Sequence, residues 1–171
     1  MKSEFSGLAL VLGKNIDTDQ IYPGRYLALT APGEIGSHCL EGVDDGIAAD
    51  FPEGGIVVAG TNFGCGSSRE HAAIALIHMG ASAVVAESFA RIFYRNAINL
   101  GLPLLVCKDM TGRVDSGQRL NVNMETGEMK NLDTGEIFQC EKIGEYAMSI
   151  LDAGGIKPLF IRKMKEECHD S

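Results

Sequence analysis

The sequence lacks several features that would place it in a common protein class. Basic residues are in deficit, with 15 Lys and Arg against 23 Asp and Glu, and the formal net charge is -8. Because nucleic acids and anionic membranes are bound through a surplus of basic residues, this deficit argues against both kinds of partner. No apolar run is long enough to span a bilayer, and the first residues contain no apolar stretch typical of a signal peptide.

Paired cysteines are also missing. The five cysteines are odd in number and widely scattered, and no CxxC pair occurs. This spacing supports neither a closed zinc site nor a thioredoxin-like motif, so we predict no metal site. Free thiols in a reducing compartment are the simplest interpretation, and we expect a cytoplasmic protein. The five residues are Cys39, Cys65, Cys107, Cys140 and Cys168.

The composition that remains is that of a globular protein. Hydrophobic residues make up 45% and charged residues 22% of a 171-residue chain, which is long enough to bury a sizeable core. The 21 glycines and five prolines indicate many turns and close backbone approaches, without a collagen-like period. We expect a single domain over residues 1–171.

Short apolar runs alternate with helical patterns through the first two thirds of the chain. The runs are bounded by glycines or polar turns and predict buried strands. Apolar residues at helical spacing predict a helix that ends at Gly80 and a second helix that Ser88 caps. Thr30 and Pro32 offer the start of an earlier helix through about residue 40. The predicted strands span 8–12, 56–59, 83–86 and 104–107. This alternation is typical of a parallel sheet covered by helices.

The pattern changes in the last third of the chain. Residues 112–140 show short strand patterns separated by two similar Thr-Gly turns, which predicts an antiparallel meander. Helical patterns follow over 143–151 and 158–167, and loops are expected over 13–19 and 41–55. The predicted fold is therefore α/β, with a mostly parallel central sheet flanked by helices and an antiparallel addition.

The glycine loop, residues 60–69, concentrates groups that could bind a small anion. Gly66 and two further glycines let the backbone approach a ligand closely. Ser67 and Ser68 are predicted where a helix begins, so their N–H groups would be unpaired at the positive end of the helix dipole. Arg69 adds a guanidinium that matches a carboxylate in bidentate fashion. Many such loops are only tight turns, and both interpretations stay open on the residues alone.

Familiar motifs do not fit this loop. It lacks the Gly-Lys-Ser/Thr of a Walker A loop, the third glycine of a dinucleotide fingerprint and the Gly-x-Ser-x-Gly of a serine hydrolase. His71 could pair with a serine one turn away, but local packing is the favoured interpretation. Cys65 is interpreted as a small residue in a tight loop rather than a reactive thiol. Arg91 and Arg95 form either a surface face or a buried clamp, and periodicity does not decide between them.

A second candidate segment lies just after the first strand. Asp17 and Asp19 could together orient a base or bind a cation there. An Asp-Thr-Asp run more often forms Asx turns and helix caps, and this is the alternative interpretation.

Three segments, in order, resemble one protein family. They are 15–27, which reads Asn-Ile-Asp-Thr-Asp-Gln-Ile-Tyr-Pro-Gly-Arg-Tyr-Leu, then 60–73 and 87–96. Together they resemble the small subunit of 3-isopropylmalate dehydratase, which is similar to the swivel domain of aconitases. The resemblance covers nearly the whole chain in order and length.

This resemblance implies a fold, an activity and a partner. The fold would be a swivelling β/β/α domain, and the activity that of a hydro-lyase which isomerises 2-isopropylmalate and 3-isopropylmalate through a dehydrated intermediate in leucine biosynthesis. The enzyme would be a heteromer, active only with a large subunit that carries a [4Fe–4S] cluster, and this chain would bind no cofactor. The scattered cysteines agree with that division, because they could not hold a cluster alone. A homo-oligomer of the isolated chain stays possible.

The resemblance also implies roles for residues of both candidate segments. Ser67 corresponds to the base that removes the proton α to a carboxylate, and Arg69 to the arginine that binds a substrate carboxylate. Ser68 and Gly66 would complete the substrate site, and Asp19 would orient a histidine of the large subunit. A helix N-terminus and a nearby arginine would stabilise a serine alkoxide, which gives this placement a physical reason.

One departure from the wider family bears on the substrate. Aconitases and homoaconitases carry, just after a Tyr-Leu pair, an arginine for an additional carboxylate, whereas here Ala28, Leu29 and Thr30 follow Tyr26 and Leu27. Small and apolar side chains suit an alkyl group and disfavour a charged one through desolvation. The sequence thus favours an alkyl malate over homocitrate.

Several alternatives stay open at this point. Isopropylmalate is not separated from dimethylmalate or citramalate, because a methyl group or so is worth only about 1–3 kcal/mol in a hydrophobic pocket. A related alkylmalate hydro-lyase, a homoaconitase and a non-enzymatic anion-binding regulatory module are the other candidates. RNA binding is disfavoured by the negative charge.

Overall fold

A computed structural model describes residues 3–170. Its centre is a seven-stranded mixed sheet in the order β4-β3-β2-β1-β5-β6-β7. The strands are β1 (Glu4–Val11), β2 (Ile56–Ala59), β3 (Ala83–Ala86), β4 (Leu104–Val106), β5 (Arg119–Asn123), β6 (Glu128–Asn131) and β7 (Ile137–Gln139). The helices are α1 (Thr18–Ile21), α2 (Pro32–Ser37), α3 (Ile47–Asp50), α4 (His71–Met79), α5 (Arg91–Asn99), α6 (Glu145–Ala153) and α7 (Ile156–His169), with a 3₁₀ turn at Gly24–Tyr26.

Strand β1 joins the two halves of this sheet. It pairs in parallel with β2, where Ala9 lies opposite Ile56, and antiparallel with β5, where Leu8 lies opposite Arg119. β2, β3 and β4 continue the parallel half, and β5, β6 and β7 form the antiparallel half. The predicted α/β fold with an antiparallel addition is therefore confirmed.

The parallel half explains where functional loops gather. β2 and β3 are buried at all four positions, as expected when helices cover a parallel sheet. α4 connects β2 to β3, and α5 connects β3 to β4. Because parallel strands point the same way, the segments that leave β1, β2 and β3 emerge at one edge of the sheet. The glycine loop and the segment after β1 both lie at this edge.

Some predicted boundaries are confirmed and others are wrong. α4 ends at Gly80, whose φ of 106° lets its N–H bond back to Leu76 and Ile77. The predicted cap of the next helix is wrong, because α5 begins at Arg91 and the Ser88 hydroxyl instead accepts the Asn62 N–H at 2.7 Å. Here the serine fixes the glycine loop rather than a helix end.

The region before β2 holds more helix than the sequence predicted. The turn expected over 13–19 contains the start of α1, and the loop expected over 41–55 contains α3. α2 is capped by Ala31 instead of Thr30, since it begins at Pro32, and it ends at Ser37. Short helices without a long apolar stripe leave little periodicity for a sequence to show.

Within residues 3–170, no helix has both the length and the apolar character needed to cross a membrane.

Candidate functional site

The segment after β1 pairs along the glycine loop. The Gly64 N–H donates to the Ile16 carbonyl, and the Thr18 N–H donates to the Cys65 carbonyl, each at 2.8 Å. The two loops therefore extend the parallel pairing of β1 and β2 beyond the strands themselves. This backbone pairing brings the two candidate segments of the sequence into one site.

Ser67 is held by two side chains from different parts of the chain. Its N–H donates to the Thr18 hydroxyl at 3.1 Å, and the two hydroxyl oxygens lie 3.0 Å apart. Arg69 donates from Nε to the Ser67 hydroxyl oxygen at 2.9 Å. Thr18 is buried while Ser67 is exposed, so a fixed internal hydroxyl positions a surface one.

One electrostatic expectation for this serine is wrong. α4 begins at His71 with Glu70 as its N-cap, so Ser67 and Ser68 precede the helix instead of opening it. The Ser67 N–H is paired with Thr18 and is not free for a ligand. The positive charge beside the hydroxyl comes from Arg69, whose charged N–H···O contact is stronger than a neutral one.

Asp19 lies on the other side of Arg69. Its Oδ1 accepts the Gly24 N–H at 2.9 Å and is 3.9 Å from the Arg69 Nη2. The Asp19 side chain is 67% exposed and that of Arg69 35%, so this ion pair contributes little to stability. The structure thus brings together Asp19, Ser67 and Arg69, three residues to which the resemblance gives roles, on an open surface.

Glycine is required at two positions of the loop. Gly64 has a φ of 85°, and a Cβ there would lie 2.2 Å from the ring of Phe93 on α5. Gly66 has a φ of 103°, and a Cβ there would lie 3.2 Å from the Thr18 hydroxyl oxygen. Both residues therefore adopt backbone that other residues rarely take, and the neighbour leaves no room for a side chain at Gly64 and only a tight fit at Gly66.

Ser68 is fixed through its backbone. Its carbonyl accepts a hydrogen bond from the Asn96 amide on α5 at 2.9 Å, and its side chain is exposed. Ser68 therefore lies beside Ser67 and Arg69, where it could contact the same ligand.

The alternative interpretations of nearby residues are also decided. Asp17 caps α1, accepting the Gln20 N–H at 2.7 Å, so it serves the structure while Asp19 reaches the site. The His71 ring stacks on Tyr22, with centroids 6.2 Å apart, and its Nδ1 is buried without a hydrogen-bond partner in the described chain. The Ser–His pair is thus replaced by the contacts of Ser67 with Thr18 and Arg69.

Exposure decides the question that the sequence left open for two arginines of α5. Arg91 and Arg95 are both exposed on α5, so they form a surface face and not a buried clamp. Among residues 3–170, no group of three or more His, Cys, Asp or Glu side chains is arranged to hold a metal ion. Cys39, Cys107 and Cys140 are buried, and burial raises the pKa of Cys39.

The recognition loop, residues 24–30, lies next to this site. Gly24 at its start packs against Arg69, since a Cβ there would be 3.0 Å from the Arg69 Nη1. Ala28 and Thr30 are exposed, and Leu29 is half-buried against the core. Of the three residues considered for substrate selection, Ala28 and Thr30 thus lie at an open edge of the loop, while Leu29 packs against the core.

Sequence reasoning missed the carboxylate that holds this loop. Glu41 accepts hydrogen bonds from the Tyr26 hydroxyl at 2.5 Å and the Arg25 guanidinium at 2.9 Å, and contacts the His38 Nδ1 at 2.5 Å. The Tyr26 hydroxyl contributes most to holding the pKa of Glu41 down at about 2, followed by His38. No local motif marks Glu41, because its partners are brought to it by the turn after α2.

Thr18 was also missed. It lies between Asp17 and Asp19, and only the carboxylates of that run suggested a functional site. A buried threonine at a helix start gives no distinctive signal, and its partner Ser67 is 49 residues away in the sequence.

Known proteins are similar to this chain over most or all of its length. Residues 48–109 match the family model described as the aconitase C-terminal domain. An isopropylmalate/citramalate isomerase small subunit from Methanocaldococcus jannaschii is 51% identical over 97% of this chain and 99% of its own length. A 3-isopropylmalate dehydratase small subunit from Methanopyrus kandleri is 50% identical over 95% of this chain and 96% of its own.

A solved structure agrees with these relatives. The crystal structure of a 3-isopropylmalate dehydratase from Methanocaldococcus jannaschii is 38% identical, with a TM-score of 0.94 over 98% of this chain and 99% of its own. Its likeness extends across both halves of the sheet. With relatives at this identity and coverage, the chain belongs to the family of 3-isopropylmalate dehydratase small subunits.

Proposed function

We propose that this chain supplies one half of the active site of a two-subunit hydro-lyase that interconverts 2-isopropylmalate and 3-isopropylmalate in leucine biosynthesis. The observation that carries the proposal is the contact of the Arg69 Nε with the Ser67 hydroxyl oxygen at 2.9 Å. It places a permanent positive charge against a hydroxyl that the reaction requires as a base. The large subunit would complete the site, since Ser67, Ser68 and Asp19 are exposed on the surface.

Ser67 would remove the proton from the carbon next to a substrate carboxylate, and its hydroxyl would return a proton on rehydration. An ordinary hydroxyl is a poor base, so its deprotonated form has to be stabilised where it forms. Arg69 supplies the charge, and Thr18, at 3.0 Å from the Ser67 oxygen, can donate a second hydrogen bond to it.

Substrate binding would use the same side chain and its neighbours. The Arg69 Nε faces Ser67, and Nη2 lies 3.9 Å from the Asp19 Oδ1, which is too far for a hydrogen bond, so both terminal nitrogens can still donate to a carboxylate of the substrate. Ser68 lies beside it and would contribute a hydroxyl, while Gly66 would let the backbone approach the ligand. The Asp19 Oδ1 accepts a hydrogen bond from the Gly24 N–H. The exposed remainder of the carboxylate would orient a histidine of the large subunit.

The cluster of this enzyme class would belong to the partner. The thiols of this chain do not fit a [4Fe–4S] cluster, since Cys39, Cys107 and Cys140 are buried and the described residues offer no converging ligand group. We therefore place the cluster on the large subunit. Buried free thiols also suit a reducing compartment, and we place the protein in the cytoplasm.

The recognition loop would select an alkyl group. Ala28, Leu29 and Thr30 offer no charge to an additional carboxylate, which disfavours homocitrate. Citramalate is the second candidate substrate, because a relative with 51% identity is named an isopropylmalate/citramalate isomerase small subunit. The two alkyl groups differ by two methyl groups, each worth about 1–3 kcal/mol in a hydrophobic pocket, so the discrimination between them would depend on how fully the assembled site encloses the alkyl group.

The test uses this chain combined with its large subunit under anaerobic conditions. We expect kcat/KM to be highest for isopropylmalate, lower for citramalate and negligible for homocitrate. A higher kcat/KM for citramalate than for isopropylmalate would show that citramalate is the preferred substrate. Turnover of homocitrate would overturn the role of the recognition loop, and turnover of none of the three would overturn the proposed activity.

A further inference from the structure

Glu41 lies outside the residues that would touch substrate, yet it binds the recognition loop at two points. Its Oε1 accepts from the Tyr26 hydroxyl at 2.5 Å and from the Arg25 Nη2 at 2.9 Å. Its Oε2 contacts the His38 Nδ1 at 2.5 Å, and the His38 ring stacks on Tyr26 with centroids 3.7 Å apart. The Glu41 carboxylate thereby connects the side chains of Arg25 and Tyr26 to His38 at the end of α2.

The backbone that carries Glu41 is itself fixed to α1. The Leu40 N–H donates to the Ile21 carbonyl at 2.7 Å, and the Gly42 N–H donates to the Gln20 carbonyl at 3.1 Å. Leu40 has a φ of 61°, a left-handed conformation that is strained for a residue with a branched side chain. The chain accepts this strain on the residue directly before Glu41.

The same loop is connected to the candidate site at its other end. The Gly24 N–H donates to Asp19, and the Tyr26 carbonyl accepts the hydroxyl of buried Tyr22 at 2.7 Å and the Leu29 N–H at 3.0 Å. The position of Tyr26 therefore sets the backbone direction into residues 28–30.

We propose that Glu41 is a positioning residue for substrate recognition, which holds residues 24–30 against the Asp19–Arg69 side of the site so that residues 28–30 meet the substrate's alkyl group. This inference rests on the proposed function. Glu41 acts through Arg25 and Tyr26 and does not contact substrate. Its removal would therefore weaken recognition of the alkyl group while leaving Ser67 and Thr18 in place.

The test compares Glu41→Gln with wild type in two measurements. In the complex with the large subunit, we expect KM for isopropylmalate to rise about tenfold, because contacts to a charged group are lost, while kcat changes less than about threefold. The preference for isopropylmalate over citramalate should shrink. In the isolated full chain, amide hydrogen exchange over residues 24–30 should accelerate.

Controls separate this role from a general loss of stability. Glu34→Gln removes an exposed carboxylate on neighbouring α2 and should change neither measurement. Tyr26→Phe removes a single hydrogen bond to Glu41 and should give a smaller effect in the same direction. It therefore tests the same contact if Glu41→Gln folds poorly.

Each contrary result has its own meaning. Unchanged exchange in Glu41→Gln would show that the carboxylate does not hold the loop. Faster exchange with unchanged KM and substrate preference would show that the held loop takes no part in recognition, and either result overturns the proposal. If the wild-type complex converts neither substrate, the proposed function fails, and a substrate role for Glu41 fails with it, whatever the exchange shows.

Discussion

The hydroxyl oxygens of Thr18 and Ser67 lie 3.0 Å apart, and Thr18 also accepts the Ser67 N–H at 3.1 Å. Thr18 is buried at the start of α1, and Ser67 is exposed in the glycine loop. Two hydrogen bonds to one rigid hydroxyl fix both the backbone and the side chain of Ser67. The candidate base is therefore held by residues of this chain itself.

Thr18→Val tests this relationship. The variant keeps the shape but leaves the Ser67 N–H without an acceptor, which we expect to cost about 1–2 kcal/mol of unfolding free energy. Loss of alignment should also lower kcat of the complex by about tenfold to a hundredfold. Thr18→Ser retains the hydroxyl and should restore most of the activity. Equal activity of the valine and serine variants would mean that the Thr18 hydroxyl does not position Ser67.

Arg69→Lys tests the guanidinium. Lysine has neither the Nε that contacts Ser67 nor the paired nitrogens that match a carboxylate. We expect KM for isopropylmalate to rise about tenfold or more, with a smaller fall in kcat. Arg162→Lys, on exposed α7, serves as the matched control and should behave as wild type. An unchanged KM in Arg69→Lys would contradict the assignment of Arg69 to the carboxylate.

Gly64→Ala tests the packing of the glycine loop on α5. An alanine there would combine a left-handed backbone with a Cβ 2.2 Å from Phe93, and we expect a loss of about 3 kcal/mol or more in urea unfolding. Gly112 has a similar φ of 79° but open space around its Cβ position. Gly112→Ala should therefore cost only about 1–2 kcal/mol, from backbone strain alone. Equal losses of unfolding free energy in the two variants would show that the contact with Phe93 does not add to the cost at Gly64.

The pH dependence of stability tests the ionisation of Glu41. Its pKa is lowered from 4.5 to about 2, mainly by the Tyr26 hydroxyl and then by His38. A carboxyl with a lowered folded-state pKa stabilises the fold fully above pH 4.5 and loses that contribution as pH falls toward 2. The difference in melting temperature between wild type and Glu41→Gln should thus shrink as pH falls from about 5 toward 2. A difference that stays constant to pH 3 would contradict a charged Glu41 in the fold.

The sequence predicted β2 and β3 well because each is a short apolar run between glycines or turns, whereas β1 begins at Glu4, ahead of the predicted start at residue 8, because residues 4–7 form no apolar run. Ile56–Ala59 and Ala83–Ala86 have the predicted bounds, since fully buried parallel strands need apolar residues at every position. The end of α4 was equally clear from Gly80, where the backbone requires a left-handed residue.

Contacts between residues far apart in the chain could not be predicted from local sequence patterns. Ser88 is a residue type that often caps helices, but its hydroxyl accepts a hydrogen bond from the Asn62 N–H in the glycine loop. Ser67 appears from its neighbours to open a helix, yet Thr18 takes its N–H and α4 starts later. Glu41 and Thr18 carry no local pattern, because their functions depend on partners that only the fold brings near.

The role of Ser67 as the base is the central claim, and Ser67→Ala tests it most directly. In the anaerobic complex we would measure both the dehydration rate of isopropylmalate and its binding, with Ser149→Ala, at a half-buried position of α6, as the control. We predict that the rate falls by about 10²–10⁴-fold while substrate binding changes only a few-fold, since the alanine removes the base but leaves Arg69. Near-normal dehydration by Ser67→Ala would show that another group takes the proton.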